Sequence, residues 1–201
     1  MHNSLYIQRL SETPAARWSG GVTYELALWP REAAYSRRDF LWRVSTARVE
    51  LEESDFTSLP QYRRCILTLD KVLKLSHDRG PVIRLEPFTP YEFEGGSATH
   101  AWGQVSDFNL MLRRDAAWGQ LSVCTLQPGQ WQSLSPRPNG CCLLFCAQGR
   151  PALSRGGRPG CLCRAGDYLL WSRDLLHVIN PGPDVARLIL AQMGPGENNN
   201  K

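Results

Sequence analysis

The residues best suited to chemistry in this 201-residue sequence lie in the segment Asp107-Phe108-Asn109-Leu110-Met111. Alternate side chains of a β-strand share a face, so we expect Asp107, Asn109 and Met111 to point the same way. A carboxylate and an amide buried without partners would each cost about 1–3 kcal/mol. The pattern therefore predicts that arginines of neighbouring strands, or a bound ligand, satisfy these two groups.

Two other strand-like segments carry arginines that meet this need. The two-residue period places Arg43 beside Ser45 on one face, and Arg64, Ile66 and Thr68 together on another. A guanidinium group binds a carboxylate through two parallel, charge-assisted hydrogen bonds. If the three faces converge, the sequence predicts an interior site for a small carboxylate that carries a second polar group. In the alternative interpretation, Arg43 pairs with Asp107 across the sheet and leaves no place for a ligand.

Two further residues offer weaker acid and base chemistry. Glu25 is a possible general base, although an exposed strand carboxylate is the commoner case. His100 lies seven residues before Asp107, so the pair allows a proton relay, whereas a histidine in a loop usually has no such role. The sequence contains no nucleophile elbow, phosphate-binding loop or paired-carboxylate motif.

Composition excludes several classes of protein. The 42% hydrophobic content indicates a folded chain, and no apolar run approaches the roughly 18 residues of a membrane span. The start Met1-His2-Asn3-Ser4 lacks the features of a signal peptide, so we expect a cytoplasmic protein without a membrane partner. The net charge of +4 is dispersed along the chain, which argues against nucleic acid as a partner.

The sequence contains seven cysteines. This odd number fits reduced thiols better than a disulfide framework. The pairs Cys161/Cys163 and Cys142/Cys146 admit a zinc-binding interpretation, but they lack the usual two-residue spacers and the residues between Cys142 and Cys146 read as a buried strand. We therefore interpret the cysteines as structural thiols.

Short alternating runs separated by glycine- and proline-rich turns predict an all-β protein. Most acidic residues precede Arg114, so we place a domain boundary near residue 115, with domains 1–115 and 116–193 and a disordered tail over 194–201. The predicted strands cover residues 23–28, 41–50, 64–69, 83–85, 108–113, 119–126, 141–146, 168–171 and 187–192.

Near the end of the second half, Gly166-Asp167 precedes an apolar strand, and His177 and Asn180-Pro181-Gly182 follow it. This pattern resembles the closing motif of cupin barrels. Metal-binding cupins place a histidine at this point and further ligands on an earlier strand. No histidine lies between His100 and His177, so we expect no metal site and interpret His177 as a relic or a packed structural residue.

Five segments of the first half together form a more specific pattern. They are Gly20-Gly21-Val22-Thr23-Tyr24-Glu25, the run from Phe40 to Val49, Phe56-Thr57-Ser58-Leu59-Pro60 with Arg64, the run from Pro87 to Phe93, and Asp107-Phe108-Asn109-Leu110-Met111 with Arg113. Over about residues 15 to 115, and in the same order, these segments resemble the HutD/Ves family of bacterial proteins associated with histidine utilisation.

The resemblance implies a bicupin, with two cupin-like β-barrels in one chain and without the usual metal ligands. It also implies that the chain binds a small acid of histidine degradation, urocanate or formylglutamate, and restrains that pathway as a regulator or sensor. We expect a binding protein rather than an enzyme, with no cofactor. The predicted ligand-binding residues are Arg43 and Arg64 as carboxylate anchors, Ser45, Asp107 and Asn109 as orienting groups, Met111 as an apolar wall, Thr23, and Gly20 and Gly21 through their backbone N–H groups.

Two alternatives stay open at this point. A metal-independent isomerase or hydrolase, which cupin barrels elsewhere make plausible, would use Asp107, Glu25 or His100 as acid and base. A protein-interaction module would instead use an aromatic surface that includes Trp118, Trp131 and Trp171. The sequence leaves open the ligand, the role of the second barrel and the oligomeric state, a homodimer included.

Overall fold

The computed structural model describes residues 5–156 and 160–196. Its regular structure is almost entirely β, with two short 3-10 turns at Leu10–Glu12 and Tyr35–Arg37, which confirms the predicted all-β class. Within the described ranges, no helix has the length and hydrophobicity to cross a membrane. The strands are β1 (Gln8–Arg9), β2 (Ala15–Trp18), β3 (Gly21–Trp29), β4 (Trp42–Val49), β5 (Glu53–Asp55), β6 (Tyr62–Thr68), β7 (Leu73–His77), β8 (Ile83–Leu85), β9 (Tyr91–Glu94), β10 (Thr99–Trp102), β11 (Ser106–Arg113), β12 (Ala117–Leu126), β13 (Trp131–Leu134), β14 (Cys141–Gln148), β15 (Ala152–Arg155), β16 (Cys161–Leu162), β17 (Asp167–Trp171), β18 (Leu176–Ile179) and β19 (Ala186–Pro195).

The chain folds into two compact units that are interleaved in sequence. Among the described residues, the C-terminal unit comprises 5–13 and 121–194, and the N-terminal unit comprises 14–120 and 195–196. The first strand joins the C-terminal unit because β1 pairs with β17, and the Leu10 N–H extends this pairing by donating to the Gly166 carbonyl at 2.9 Å.

The C-terminal unit has two sheets around one apolar core. Their strand orders are β1-β17-β14-β19-β12 and β13-β18-β15-β16. Four buried thiols belong to this core, as expected of structural cysteines, and none of the seven cysteines, all of which lie in the described ranges, forms a disulfide bond. The last strand extends through Gly194 and Pro195, which we expected to be part of a disordered tail. Residues 197–201 of that predicted tail lie outside the described residues.

The N-terminal unit also has two sheets, ordered β2-β3-β4-β11-β6-β9 and β5-β10-β7-β8. One face of the six-stranded sheet, here called the inner face, shares an apolar core with the four-stranded sheet. Ile66 and Phe93 contribute to this core from the first sheet, and Leu75 and Ala101 contribute from the second. The pairing within the six-stranded sheet is antiparallel throughout, so directly opposed residues share a face.

Candidate ligand-binding site

The register of the six-stranded sheet aligns most of the predicted site residues in three rows on the inner face. Adjacent rows are two residues apart along β11, which corresponds to about 6.6 Å. We name the rows after their central polar groups. The aspartate row is Thr23, Ala47, Asp107 and Thr68, the amide row is Glu25, Ser45, Asn109, Ile66 and Tyr91, and the arginine row is Leu28, Arg43, Met111, Arg64 and Phe93.

Arg43 is buried and already has protein partners. Its Nε donates to Glu25 Oε2 at 2.7 Å, and its Nη1 donates to Ser45 Oγ at 2.9 Å. The guanidinium carbon also lies 4.5 Å from the centre of the Tyr35 ring. The alternative interpretation, in which Arg43 pairs with Asp107, does not hold, because Glu25 is the acidic partner of Arg43.

Arg64 is equally buried but makes no hydrogen bond with any described residue. Its Nε is fully enclosed without a partner, and its guanidinium carbon lies 4.7 Å from the Phe56 ring centre and 5.2 Å from that of Phe93. Burial lowers the pKa of Arg64 to about 10, which still leaves it charged at neutral pH. The protein therefore holds a free guanidinium against two aromatic faces.

Asp107 is a buried carboxyl at the other end of the site. Among the described residues, its side chain has no hydrogen bond and no ion pair. Burial raises the pKa of Asp107 to about 7, although the nearby charges of Arg64 and Arg43 oppose this shift. Near neutral pH, this group can donate a hydrogen bond when protonated or accept one when ionised.

Two more buried polar atoms of the inner face lack partners. They are Asn109 Oδ1 in the amide row and Thr68 Oγ1 in the aspartate row. By contrast, Thr46, on the opposite face of β4, donates its hydroxyl to the Asp107 carbonyl at 2.6 Å. Unpartnered buried polar atoms are uncommon in folded proteins. Of the four side-chain atoms of this kind among the described residues, three lie on this face and the fourth, Trp171 Nε1, lies in the C-terminal unit.

Thr23 belongs to the aspartate row, but Gly20 and Gly21 lie elsewhere. Gly21 pairs with Val49, six residues along β4 from Arg43, which is a distance of roughly 20 Å along an extended strand. A Cβ on Gly21 would lie 2.0 Å from the Arg48 carbonyl oxygen, and one on Gly20 would overlap the Trp18 ring. These glycines therefore have a structural reason to be there, namely close packing at the far end of the sheet.

The family model described as HutD matches residues 10–186. The chain belongs to the HutD family. Among solved structures, this HutD-family chain is similar to HutD from Pseudomonas fluorescens SBW25, whose structure was determined in a formate condition, with 20% identity, a TM-score of 0.73, and coverage of 96% of this chain and 100% of the other.

A second similar structure is the conserved protein of unknown function PA5104 from Pseudomonas aeruginosa PAO1, with 24% identity, a TM-score of 0.79 and the same two coverages. A third is the formate complex of oxalate decarboxylase from Lactobacillus farciminis, with 9% identity, a TM-score of 0.69, and coverage of 98% of this chain and 88% of the other. These neighbours have the cupin fold, and at such identities they establish the fold alone. Among proteins with curated descriptions, none matches this chain.

Two histidines of the HutD-family chain lie in places that the sequence did not predict. His100 lies in strand β10 rather than in a loop, and its Nδ1 is 2.7 Å from Asp55 Oδ1, so its acidic partner is not Asp107. His177 is exposed on β18 and bonds to Ser133 Oγ at 2.8 Å, so it is not a packed core residue. Across the described ranges, no three His, Cys, Asp or Glu residues form a group able to hold a metal ion.

The tryptophans that we grouped into one aromatic surface differ in exposure. Trp171 is buried in the core of the C-terminal unit, which contradicts that expectation, and Trp118 is half-buried. Trp131 is 67% exposed and lies opposite Ile179, which is also exposed. Of the three tryptophans, Trp131 alone is well exposed.

Sequence reasoning did not predict which side chains hold the two arginines, and it considered Glu25 only as a possible general base. Glu25 ion-pairs with Arg43, the Tyr35 ring covers it, and Phe56 and Phe93 stack on Arg64. Three of these four lie inside segments that match the family. The available signal was therefore their place in those motifs, since nothing in their own spacing relates them to the arginines.

Proposed function

We propose that this chain is a cytoplasmic, metal-free bicupin that binds a small carboxylate on the inner face of its N-terminal unit. The observation that carries the proposal is the state of Arg64, which is buried, charged and without a hydrogen bond from the described residues. A buried guanidinium without a partner is strongly unfavourable. A ligand carboxylate satisfies it through two parallel charge-assisted hydrogen bonds.

The other unpartnered groups indicate what else the ligand carries. Asp107 and Thr68 lie opposite each other in the aspartate row, and Asn109 lies between them and the arginine row along the sheet. These groups offer a carboxyl, a hydroxyl and an amide oxygen to a second polar group of the ligand. Urocanate, with an imidazole, and formylglutamate, with a formamide, both have a carboxylate at one end and such a group at the other.

The role in the cell follows from family membership rather than from geometry. The HutD family is associated with histidine utilisation, and we propose that ligand binding makes this chain a sensor or regulator of histidine breakdown. The fold is compatible with small acids as ligands, since the similar oxalate decarboxylase of Lactobacillus farciminis was crystallised as a formate complex.

The decisive experiment is calorimetry of Arg64→Ala with urocanate and with formylglutamate. We expect the variant to lose at least about 100-fold in affinity, because a charge-assisted bidentate pair is removed. Arg63→Ala is the matched control, since Arg63 is the preceding residue, points to the opposite face and is half-exposed beside Glu92. Equal affinities of the two variants would exclude Arg64 as the anchor, and wild-type protein that binds no small carboxylate would refute the proposed function.

Asp107 favours one second candidate, a metal-independent isomerase or hydrolase acting on the same class of acid. A carboxyl whose pKa is raised by burial to about 7 suits general acid–base catalysis at neutral pH. Incubation of the protein with urocanate or formylglutamate, followed by NMR, separates the two candidates. A pure binding protein leaves the substrate signals undiminished, whereas an enzyme consumes them and loses this activity in Asp107→Asn.

A further inference from the structure

Glu25 is the half-exposed member of an otherwise buried ion pair. Its side chain is 43% exposed, whereas that of Arg43 is 7% exposed. Strand β2 pairs with β3 only over Gly21 to Tyr24, so Glu25 lies where that pairing has ended. A carboxylate at the solvent-facing border of the site thus contacts one of the two arginines directly.

This contact makes the two arginines unequal. Arg43 uses Nε for Glu25 and Nη1 for Ser45, and the Tyr35 ring covers its guanidinium face. A bidentate grip on a ligand carboxylate needs two adjacent N–H groups of one guanidinium. Arg64 has these groups free of bonds to the described residues, so the site has one complete carboxylate anchor rather than two.

The charges of the three rows lead to the same conclusion. The described rows contain four ionisable groups of the Asp, Glu, Lys and Arg types: Arg43, Arg64, Glu25 and Asp107. Glu25 neutralises Arg43, and Asp107, whose pKa is about 7, is partly ionised near neutral pH, so Arg64 is the one cation of these rows left for the ligand. A second ligand carboxylate would lie beside Glu25 without a cation of its own, and like charges that are brought together away from water repel each other strongly.

We propose that Glu25 is a specificity-determining residue, which restricts the ligand of this site to molecules with a single carboxylate. The inference rests on the proposed function and narrows it. Urocanate has one carboxylate and fits, whereas formylglutamate has two. Specificity of this kind comes from a repulsive element as well as from attractive contacts.

The test compares two probes that differ in one group. N-formylglutamate is a dianion, and N-formylglutamine has the same skeleton with its side-chain carboxylate replaced by an amide. We expect wild-type protein to bind the formylglutamine more tightly by at least about tenfold in calorimetry. Glu25→Gln should shift the ratio of the two affinities by about tenfold toward the dianion, and Glu25→Asp, which keeps the charge, should preserve the wild-type order.

Glu92→Gln is the matched control. Glu92 lies on the same sheet and pairs with Arg63 at 3.8 Å, and its side chain is 49% exposed, but it belongs to the opposite face. The substitution Glu92→Gln therefore removes one negative charge of similar exposure that does not contact the site. We expect this variant to keep the wild-type ratio of affinities for the two probes.

Each outcome has one meaning. Wild-type protein that binds the dianion as tightly as the monoanion overturns the inference and leaves the proposed function standing, and no variant is needed for that result. A Glu25→Gln ratio equal to that of Glu92→Gln also overturns it. Wild-type protein that binds neither probe, nor urocanate, removes the proposed function and this inference together.

Discussion

Arg64 and Asp107 lie buried on one face of the same sheet, and no nitrogen of Arg64 comes within 4.0 Å of an Asp107 carboxylate oxygen. Burial favours the neutral form of each group. It lowers the pKa of Arg64 to about 10 and raises the pKa of Asp107 to about 7. A direct pair would have opposed both shifts. The fold thus keeps the Asp107 carboxyl and the Arg64 guanidinium apart. A ligand that contacts both groups would take the place of the ion pair that they do not form.

The raised pKa of Asp107 predicts a loss of stability as the pH rises. The folded state holds this proton up to about pH 7, whereas an ordinary aspartate loses it near 3.8. Between these values the folded state binds more protons than the unfolded state, so the free energy of unfolding falls with pH, by on the order of a few kcal/mol in total. Urea denaturation of wild type and Asp107→Asn across pH 4 to 7.5 measures this. The Asn variant should lack that part of the slope, and identical slopes would show that Asp107 does not titrate in this range.

Two threonines on opposite faces of the sheet should respond in opposite ways to the same substitution. Thr68 Oγ1 is buried without a partner, so Thr68→Val removes an unmet polar group and should raise the free energy of unfolding by about 1 kcal/mol. Thr46 donates to the Asp107 carbonyl at 2.6 Å, so Thr46→Val should lower it by about 1 kcal/mol. Chemical denaturation of the ligand-free variants gives both values. A stability loss in Thr68→Val would mean that this hydroxyl has a partner in solution.

The sequence was sufficient to predict the strands that position the site. Period-two alternation located β4, β6 and β11, and their order in the sheet brings Arg43, Asp107 and Arg64 to one face as that alternation requires. All nine predicted strands are confirmed, with ends that differ by a few residues. The strands that were missed, such as β5 and β16, are two to five residues long, too short for alternation to be recognised.

The contacts between individual side chains could not be predicted from the sequence. Glu25 precedes a bulge at which the register of β3 and β4 shifts, and only the paired sheet shows that it lies opposite Ser45 and reaches Arg43. The stacking of Phe56 on Arg64 likewise depends on where the chain runs after β5, which no local period encodes. The ligand-binding role of Gly20 and Gly21 stays a prediction, because a glycine pair serves close packing as readily as ligand binding.

Gly21 should be essential for stability and irrelevant to ligand affinity. Its φ is +152°, and an added Cβ would meet the Arg48 carbonyl oxygen at 2.0 Å, so Gly21→Ala should lower the free energy of unfolding by roughly 3 kcal/mol or more. Gly129 is the control, since its φ of +77° disfavours alanine but no atom lies within 4 Å of the added Cβ. Gly129→Ala should cost about 1 kcal/mol. Gly21→Ala with full stability but weakened binding would place the glycine pair in the ligand site after all.

The two histidines of the N-terminal unit should have pKa values on opposite sides of 6.5, the ordinary value for histidine. Burial lowers the pKa of His77, whose ring bonds to Thr99 and Tyr91. The hydrogen bond with Asp55 raises the pKa of His100. NMR titration of the two imidazole signals tests this order, and Asp55→Asn should lower the pKa of His100 while that of His77 stays unchanged. An unchanged pKa of His100 in Asp55→Asn would contradict the contact between His100 and Asp55.

Phe56 should contribute to ligand affinity without touching the ligand's carboxylate. Its half-buried ring lies 4.7 Å from the guanidinium carbon of Arg64, the distance of a cation–π contact, and so helps to hold that group in one orientation. Phe56→Leu keeps an apolar side chain but removes the ring, so we expect binding of urocanate to weaken by about 0.5–2 kcal/mol, measured by calorimetry. Phe56→Tyr keeps the ring and should retain most of the affinity. Tyrosine keeps the aromatic face that leucine lacks. If the two variants lose the same affinity for urocanate, the effect comes from packing and not from the cation–π contact with Arg64.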